Sequence, residues 1–205
     1  MALVFYSSPM SSATPVESTL QELGVPHEKV VFDLSRTDHK QPEFLKLNPN
    51  GKVPTLVVDG TPMFEGLAII QWLGERYGVE RKLWPAASSP TRLQALSWST
   101  WAYVTLGSAV TRLNYAQSPR VPAALHHAGQ AQATQADIAH LLEILAGQLS
   151  GKSYLLGNEF SLADLVVAST VRYATICGVS LDKQPVVAAW VARCFERPSL
   201  KQSMP

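Results

Sequence analysis

Charge is scarce in this chain, and neither sign dominates. Only 16% of its 205 residues are charged, and 17 lysines and arginines against 16 acids leave a formal charge of +1. With no basic run interleaved with aromatics, that balance argues against nucleic acid and against an anionic membrane surface as partners. No apolar run approaches the roughly 18 residues a membrane span needs. Cysteine is scarcer still. Cys177 and Cys194 are the only two, they show neither metal nor redox spacing, and buried core thiols are expected. No nucleophile elbow, phosphate loop or metal cluster is present. The first residues, Met1-Ala2-Leu3-Val4-Phe5-Tyr6, have no basic segment ahead of them and meet Ser7-Ser8-Pro9 at once, which reads as a first strand and not a signal peptide. The expectation is a soluble, cytoplasmic protein without a metal.

What the chain does have is apolar content, 46% of its residues, enough for a full core in one large or two small domains. Its two halves differ in pattern. Leu3 to Tyr6 and Lys29 to Phe32 are β-rich, and between them Val16 to Leu23 has helical spacing ending at Gly24, so these strands should run parallel. Thr55 to Val58 and Pro62-Met63-Phe64 flank Asp59-Gly60-Thr61, an antiparallel hairpin signal. A short helical segment spans Pro42 to Leu47, and a helix from Leu67 to Tyr77 stops at Gly78. A βαβ unit followed by a ββα unit makes a mixed four-stranded sheet, the thioredoxin-like arrangement. The expected domains are residues 1–78, a linker over 79–90 containing Pro85 and Pro90, and an all-helical domain over 91–205. Helices are predicted there from Thr91 to Gln117, Ala123 to Ser150, Leu162 to Ile176 and Val186 to Arg197.

Two local patterns stand out. Ser161 followed by Asp164 predicts an N-cap and capping box with a Phe160–Leu165 staple, so Asp164 is read as structural although a lone acid there looks catalytic. The stretch Asn48-Pro49-Asn50-Gly51-Lys52-Val53-Pro54-Thr55-Leu56 puts proline at the head of a strand. Proline lacks an amide hydrogen and is confined to strand starts, edges and bulges. A cis Val53-Pro54 bond would turn the amide and carbonyl of Val53 outward, toward a peptide-like ligand. Only about one X-Pro bond in twenty is cis in folded proteins, so the dipeptide alone favours trans and its context must decide.

In order and spacing, several segments resemble the cytosolic glutathione transferases over nearly the whole length. Ser8-Pro9-Met10-Ser11-Ser12-Ala13-Thr14 is similar to the serine-bearing first loop of the phi and theta-like classes. Asp38-His39-Lys40-Gln41-Pro42-Glu43-Phe44 and then Asn48 to Pro54 resemble the phi-type glutathione-binding loop with its cis-proline. Phe64-Glu65 opens the third helix as in that family, Leu155 to Asp164 matches its capping motif, and Glu196-Arg197-Pro198-Ser199-Leu200 follows near the end. The resemblance is to a bacterial, serine-type member. It implies a glutathione S-transferase that acts in detoxification, with glutathione as co-substrate and a small-molecule electrophile or a peroxide as its partner, and a homodimer.

A free cysteine thiol ionises near ~8.5, so holding a thiolate at neutral pH by lowering that value about two units takes roughly 2.7 kcal/mol. A serine hydroxyl donor contributes about 1.5 to 3 kcal/mol and a helix terminus about 0.3 to 1, which suffices without a general base. The phi-type register selects Ser11 and the cysteine-type bacterial register selects Ser12. The start of the helix behind them is ambiguous, because Thr14-Pro15-Val16-Glu17 reads as a capping box. Val53, ahead of Pro54, would pair with the ligand backbone. His39, Lys40 and Lys52 would meet the glycyl carboxylate, and Glu65 the γ-glutamyl ammonium, with the amides of Gly66 and Leu67 on its carboxylate. Many family members carry serine at Gly66 and arginine at Leu67, which favours as alternative a non-catalytic glutathione-binding carrier or interaction protein. Thiol–disulfide exchange is disfavoured because neither cysteine lies in the first loop. Met10, Trp98, Trp101, Tyr103 and Leu106 are the expected walls of an electrophile pocket.

Overall fold

The computed structural model describes residues 1–119 and 121–201. Arg120, in the connection expected at Ser118 to Pro122, lies outside the described residues, as do residues 202–205. The chain forms two compact units, one of residues 1–89 together with 197 onward, the other of residues 90–196.

In the first unit β1 (Leu3–Ser7), α1 (Thr14–Glu22) and β2 (Glu28–Val31) make the parallel βαβ half, with α2 (Pro42–Leu47) after two single 3-10 turns. β3 (Thr55–Val58), β4 (Thr61–Phe64) and α3 (Gly66–Leu73) complete it. The sheet order is β2-β1-β3-β4, with β3 antiparallel to both neighbours. Both halves of the expected mixed sheet are therefore present. The β1 side chains alternate, burying Leu3, Phe5 and Ser7 while Val4 and Tyr6 stay half-buried. α1 and α3 pack together and bury Val16, Leu20, Ile69, Ile70 and Leu73. Tyr6, Phe32 and Phe44 form an aromatic triad with centroids 4.8 to 5.5 Å apart that seats α2 against the sheet, each pair contributing ~1 kcal/mol beyond its buried area.

Two departures from the sequence reading lie at the edges of this unit. The expected linker contains Trp84, which is buried against Gly74 and Gly78 and anchors the segment after α3. Residues 197–201, assigned by sequence to the helical half, pack onto α1: α9 (Pro198–Lys201) contacts it, and Arg197 and Ser199 both donate to the Glu22 carboxylate.

The second unit is helical: α4 (Thr91–Trp101), α5 (Gly107–Gln117), α6 (Ala128–Leu149), α7 (Leu162–Ile176) and α8 (Pro185–Cys194). The helix expected over 91–117 is interrupted by a π segment at Ala102–Leu106. Gly107 permits that widening, since a Cβ there would sit 2.9 Å from the Ala102 carbonyl oxygen. Residues Leu162 to Ser169 are buried without interruption, as expected of a central helix packed by α4, α5 and α8. Its start is the predicted capping box. Asp164 Oδ2 accepts from the Ser161 amide at 2.9 Å and hydroxyl at 2.7 Å, while Oδ1 accepts from Leu155 N at 2.7 Å and Trp190 Nε1 at 3.1 Å. Phe160 and Leu165 are both buried beside it. Burial pushes the Asp164 carboxyl above the usual carboxylate range, against the pull of these four donors. Cys194 is a core thiol as expected, whereas Cys177, at the end of α7, is only half-buried.

Candidate active site

The register of the sheet brings the candidate residues of the first unit to one end. Tyr6 pairs with Thr55 and Thr55 with Phe64, so Ser7, Pro54 and Glu65, the adjoining residue on each segment, lie side by side where three strands stop. The first loop, the proline turn and the start of α3 all emanate from that end.

The Val53-Pro54 peptide is cis. The turn before it is built by Asn48, which is buried and uses its whole amide group. Nδ2 donates to the Lys52 carbonyl at 2.7 Å and to Thr55 Oγ1 at 3.0 Å, while Oδ1 accepts from Asn50 N at 3.1 Å and Asn50 Nδ2 at 3.2 Å. Sequence reasoning gave Asn48 no role. Gly51 is required in this turn, since at φ +54° a Cβ would lie 2.8 Å from the His39 carbonyl oxygen and 2.9 Å from Lys40 Nζ. Val53 is 6% exposed, and its amide has no hydrogen-bond partner among the described residues. Its carbonyl, expected to be free, accepts the hydroxyl of Ser12 at 2.8 Å.

The first loop differs from its sequence reading in one respect. α1 begins at Thr14, whose own amide donates to the Ser11 carbonyl at 3.1 Å, so Thr14 lies inside the helix and is no N-cap. The capping box read from Thr14 and Glu17 does not form, because Glu17 turns outward to pair with Lys29. Ser11 takes over some of that work. Its Oγ accepts from Ala13 N at 3.2 Å and donates to the Ser8 carbonyl at 2.6 Å. Ser11 is half-buried and Ser12 exposed. Ser7, one of the loop serines in the sequence reading but not one given a role there, is buried with its hydroxyl unpartnered among the described residues.

Of the three residues assigned to a carboxylate, Lys40 is partly committed. Its ammonium donates to the Gly51 carbonyl at 2.9 Å and the Asn50 carbonyl at 3.3 Å, bracing the turn with two of its three donors. Lys52 is exposed on the same turn, and His39 is half-buried with Nδ1 buried and unpartnered among the described residues. Glu65 is exposed at φ 72°, a backbone conformation uncommon outside glycine, and its carbonyl accepts from Ile69 N at 3.0 Å. Gly66, which opens α3, is buried. Met10 is 71% exposed, also at positive φ. In the second unit Trp98 and Trp101 meet edge to face at 5.1 Å, Trp101 and Tyr103 are half-buried, and Leu106 is 0% exposed. Leu106 is therefore a core residue of that unit and no pocket wall. Among the described residues no three His, Cys, Asp or Glu side chains gather as a metal site, and no helix is long and apolar enough to cross a membrane.

A thioredoxin-like sheet with a cis-proline turn, joined in one chain to a separate helical unit, defines the class. Comparison with known proteins agrees. The profile of the glutathione S-transferase N-terminal domain matches residues 10–76 and that of the C-terminal domain residues 109–198. The chain belongs to the glutathione S-transferase family. It is 29% identical to glutathione S-transferase 3 of Zea mays, over 98% of this chain and 93% of that one. It is 27% identical to glutathione S-transferase GstB of Escherichia coli strain K12, over 90% and 88%. Among solved structures, the glutathione transferase BgramDRAFT_1843 of Burkholderia graminis, which has two glutathione molecules bound per subunit, superposes with a TM-score of 0.87 at 25% identity, covering 98% of this chain and 87% of that one.

Proposed function

We propose that this protein binds glutathione at the end of the sheet and stabilises its thiolate for conjugation to an electrophilic small molecule or for peroxide reduction. The observation that carries this reading is the unpartnered Val53 amide ahead of a cis-proline, between a serine loop and the start of α3. In this reading the amide and the remaining acceptor position of the Val53 carbonyl pair with the cysteinyl unit of the tripeptide, one strand residue wide. Glu65 meets the γ-glutamyl ammonium, and the first amides of α3, at Gly66 and Leu67, meet the adjacent carboxylate. Lys52, His39 and the third donor of Lys40 serve the glycyl end.

Ser11 acts on the sulfur. Its hydroxyl, turned from the Ser8 carbonyl toward the ligand, donates to the thiolate while the start of α1 adds its positive end. The thiol proton leaves to water, and the sulfur lone pair forms the new bond to carbon as that carbon's bond to its leaving group breaks and the group departs with the electron pair. With a peroxide the thiolate takes one oxygen as the O–O bond breaks, and a second glutathione thiol then displaces water from the sulfenic acid to give the disulfide. Met10, Trp101 and Tyr103 belong in this reading to recognition of the electrophile. We further propose that the protein is a cytoplasmic homodimer, as the family resemblance implies.

A second reading, a glutathione-binding carrier without turnover, draws on one observation: both loop hydroxyls already donate to backbone carbonyls. Calorimetric titration with glutathione, paired with a conjugation assay on a panel of electrophiles and a peroxide, separates them. Binding with turnover supports the transferase, binding without turnover across the panel supports the carrier, and absence of binding refutes both.

A further inference from the structure

We propose that Ser12 is a positioning residue. Its hydroxyl ties the first loop to the Val53 carbonyl and so fixes the spacing between the backbone group that pairs with the ligand and the Ser11 hydroxyl that meets its sulfur. The proposal rests on the glutathione reading above.

A serine hydroxyl has one proton to give. Ser12 places its proton on Val53 O at 2.8 Å, across 41 residues of sequence, whereas Ser11 places its own on Ser8 O, three residues away. The two bonds differ in what their loss would release. Turning the Ser11 hydroxyl hydrogen about the Cβ–Oγ bond exchanges one local carbonyl for a thiolate and leaves the Ala13 amide on Oγ. Turning Ser12 away would let the first loop and the proline turn separate, because the β1–β3 ladder ends at Tyr6 and Thr55. Beyond it, among the described residues, no other hydrogen bond joins residues 8–13 to residues 48–54.

Val53 is also the buried partner of the pair and Ser12 the exposed one. Removing the hydroxyl therefore strips a donor from a carbonyl with little access to water, which holds the bond in place. A carbonyl oxygen has two acceptor positions, so the tie and a ligand amide can occupy Val53 O together. The tie is thus compatible with the bound state, and the adjacent serine is left to do the chemistry.

The test compares the full-length protein with Ser12→Ala and Ser12→Thr, the threonine keeping the hydroxyl and placing its methyl at an exposed position. In the ligand-free proteins, amide hydrogen exchange is followed over residues 51–56. In the bound proteins, glutathione affinity is measured by calorimetry and the ionisation midpoint of the bound thiol by ultraviolet absorbance against pH. Ser12→Ala is expected to speed exchange in the turn and weaken glutathione binding about tenfold, any rise in the ionisation midpoint coming only together with that loss of affinity. Ser12→Thr is expected to restore both exchange and affinity. An ionisation midpoint that rises in Ser12→Ala while affinity holds would assign Ser12 to the sulfur and overturn the proposal. Unchanged exchange in Ser12→Ala, or no recovery in Ser12→Thr, overturns it equally. If the wild-type protein binds no glutathione, the glutathione reading falls, and exchange alone decides whether the tie exists.

Discussion

Two helices of this protein have serines at or just before their starts, and the polar groups there are committed in opposite ways. At the start of α7 both oxygens of Asp164 are filled by four donors in a dry interior, and Ser161 turns both its amide and its hydroxyl onto that carboxylate. At the start of α1 the hydroxyls of Ser11 and Ser12 rest on carbonyls, and Ala13 has no side-chain cap. There the Val53 amide that Ser12 adjoins is left unpartnered. A buried cluster in which every partner is internal has no group left for a ligand, and losing any member is costly. A cluster with an unpaired amide and a donor that can be re-aimed by one rotation can accept one. The acidic residue that looks most catalytic in the sequence is therefore structural, and the plainer serines are the better candidates for chemistry.

The sharpest way to break this contrast is Asp164→Ala, which strands the amides of Leu155 and Ser161, the Ser161 hydroxyl and the Trp190 indole at once. At ~1 to 3 kcal/mol for each unsatisfied buried group, partly relieved by water, the expected loss is roughly 3 to 5 kcal/mol in urea unfolding. That exceeds the ~1 kcal/mol or more expected for a helix cap alone. Trp190→Phe removes one donor and should cost about 1 kcal/mol. An Asp164→Ala protein as stable as wild type would show that the carboxylate does not hold α7.

Asn48→Ala comes next, since it removes the side chain that shapes the proline turn. With Lys52 O, Thr55 Oγ1 and Asn50 N losing a partner, about 2 to 3 kcal/mol of stability should go, and glutathione affinity should fall with it. Ser11→Ala should do the reverse. Stability should change by less than ~1 kcal/mol, while turnover at neutral pH drops between about tenfold and a hundredfold. The ionisation midpoint of the bound thiol should rise toward the free value of ~8.5. Wild-type turnover in Ser11→Ala would remove this serine from the chemistry.

How far these two helix starts were legible in the sequence follows from the range of their contacts. The Ser161–Asp164 box spans three residues and could be read directly, but the same carboxylate also collects donors from 9 residues before it and 26 after it, which no local pattern announces. The Thr14–Glu17 box has the same spelling and does not form, because the Thr14 amide is taken by the Ser11 carbonyl and Lys29 draws the acid away. The cis-proline turn was readable only from its surroundings. Asn48 bonding an amide two residues on is an asparagine turn, so its role could have been suspected from type and position. The Ser12–Val53 bond could not, since it joins loops that only the closed sheet brings together. Likewise a π segment leaves no periodic signal, and the one hint was a glycine at its end.

The smallest effect is expected at Gly66, and it tests the contrast from the ligand's side. This residue opens α3 directly after Glu65, so in the proposed site its amide and that of Leu67 face the γ-glutamyl carboxylate with no side-chain donor to help them. A hydroxyl there would add one hydrogen bond to a charged group, and Gly66→Ser should tighten glutathione binding about tenfold by calorimetry. The substitution also raises helix propensity by a few tenths of a kcal/mol. A gain in melting temperature alone therefore proves nothing about the site. The decisive quantity is the affinity of the charged ligand, which a helix-propensity gain shared by the free and bound protein leaves unchanged and a new hydrogen bond to its carboxylate does not. Equal or weaker binding in Gly66→Ser would mean that the start of α3 does not hold the ligand's carboxylate. The under-committed end of the sheet would then be narrower than proposed, limited to the proline turn and the serine loop.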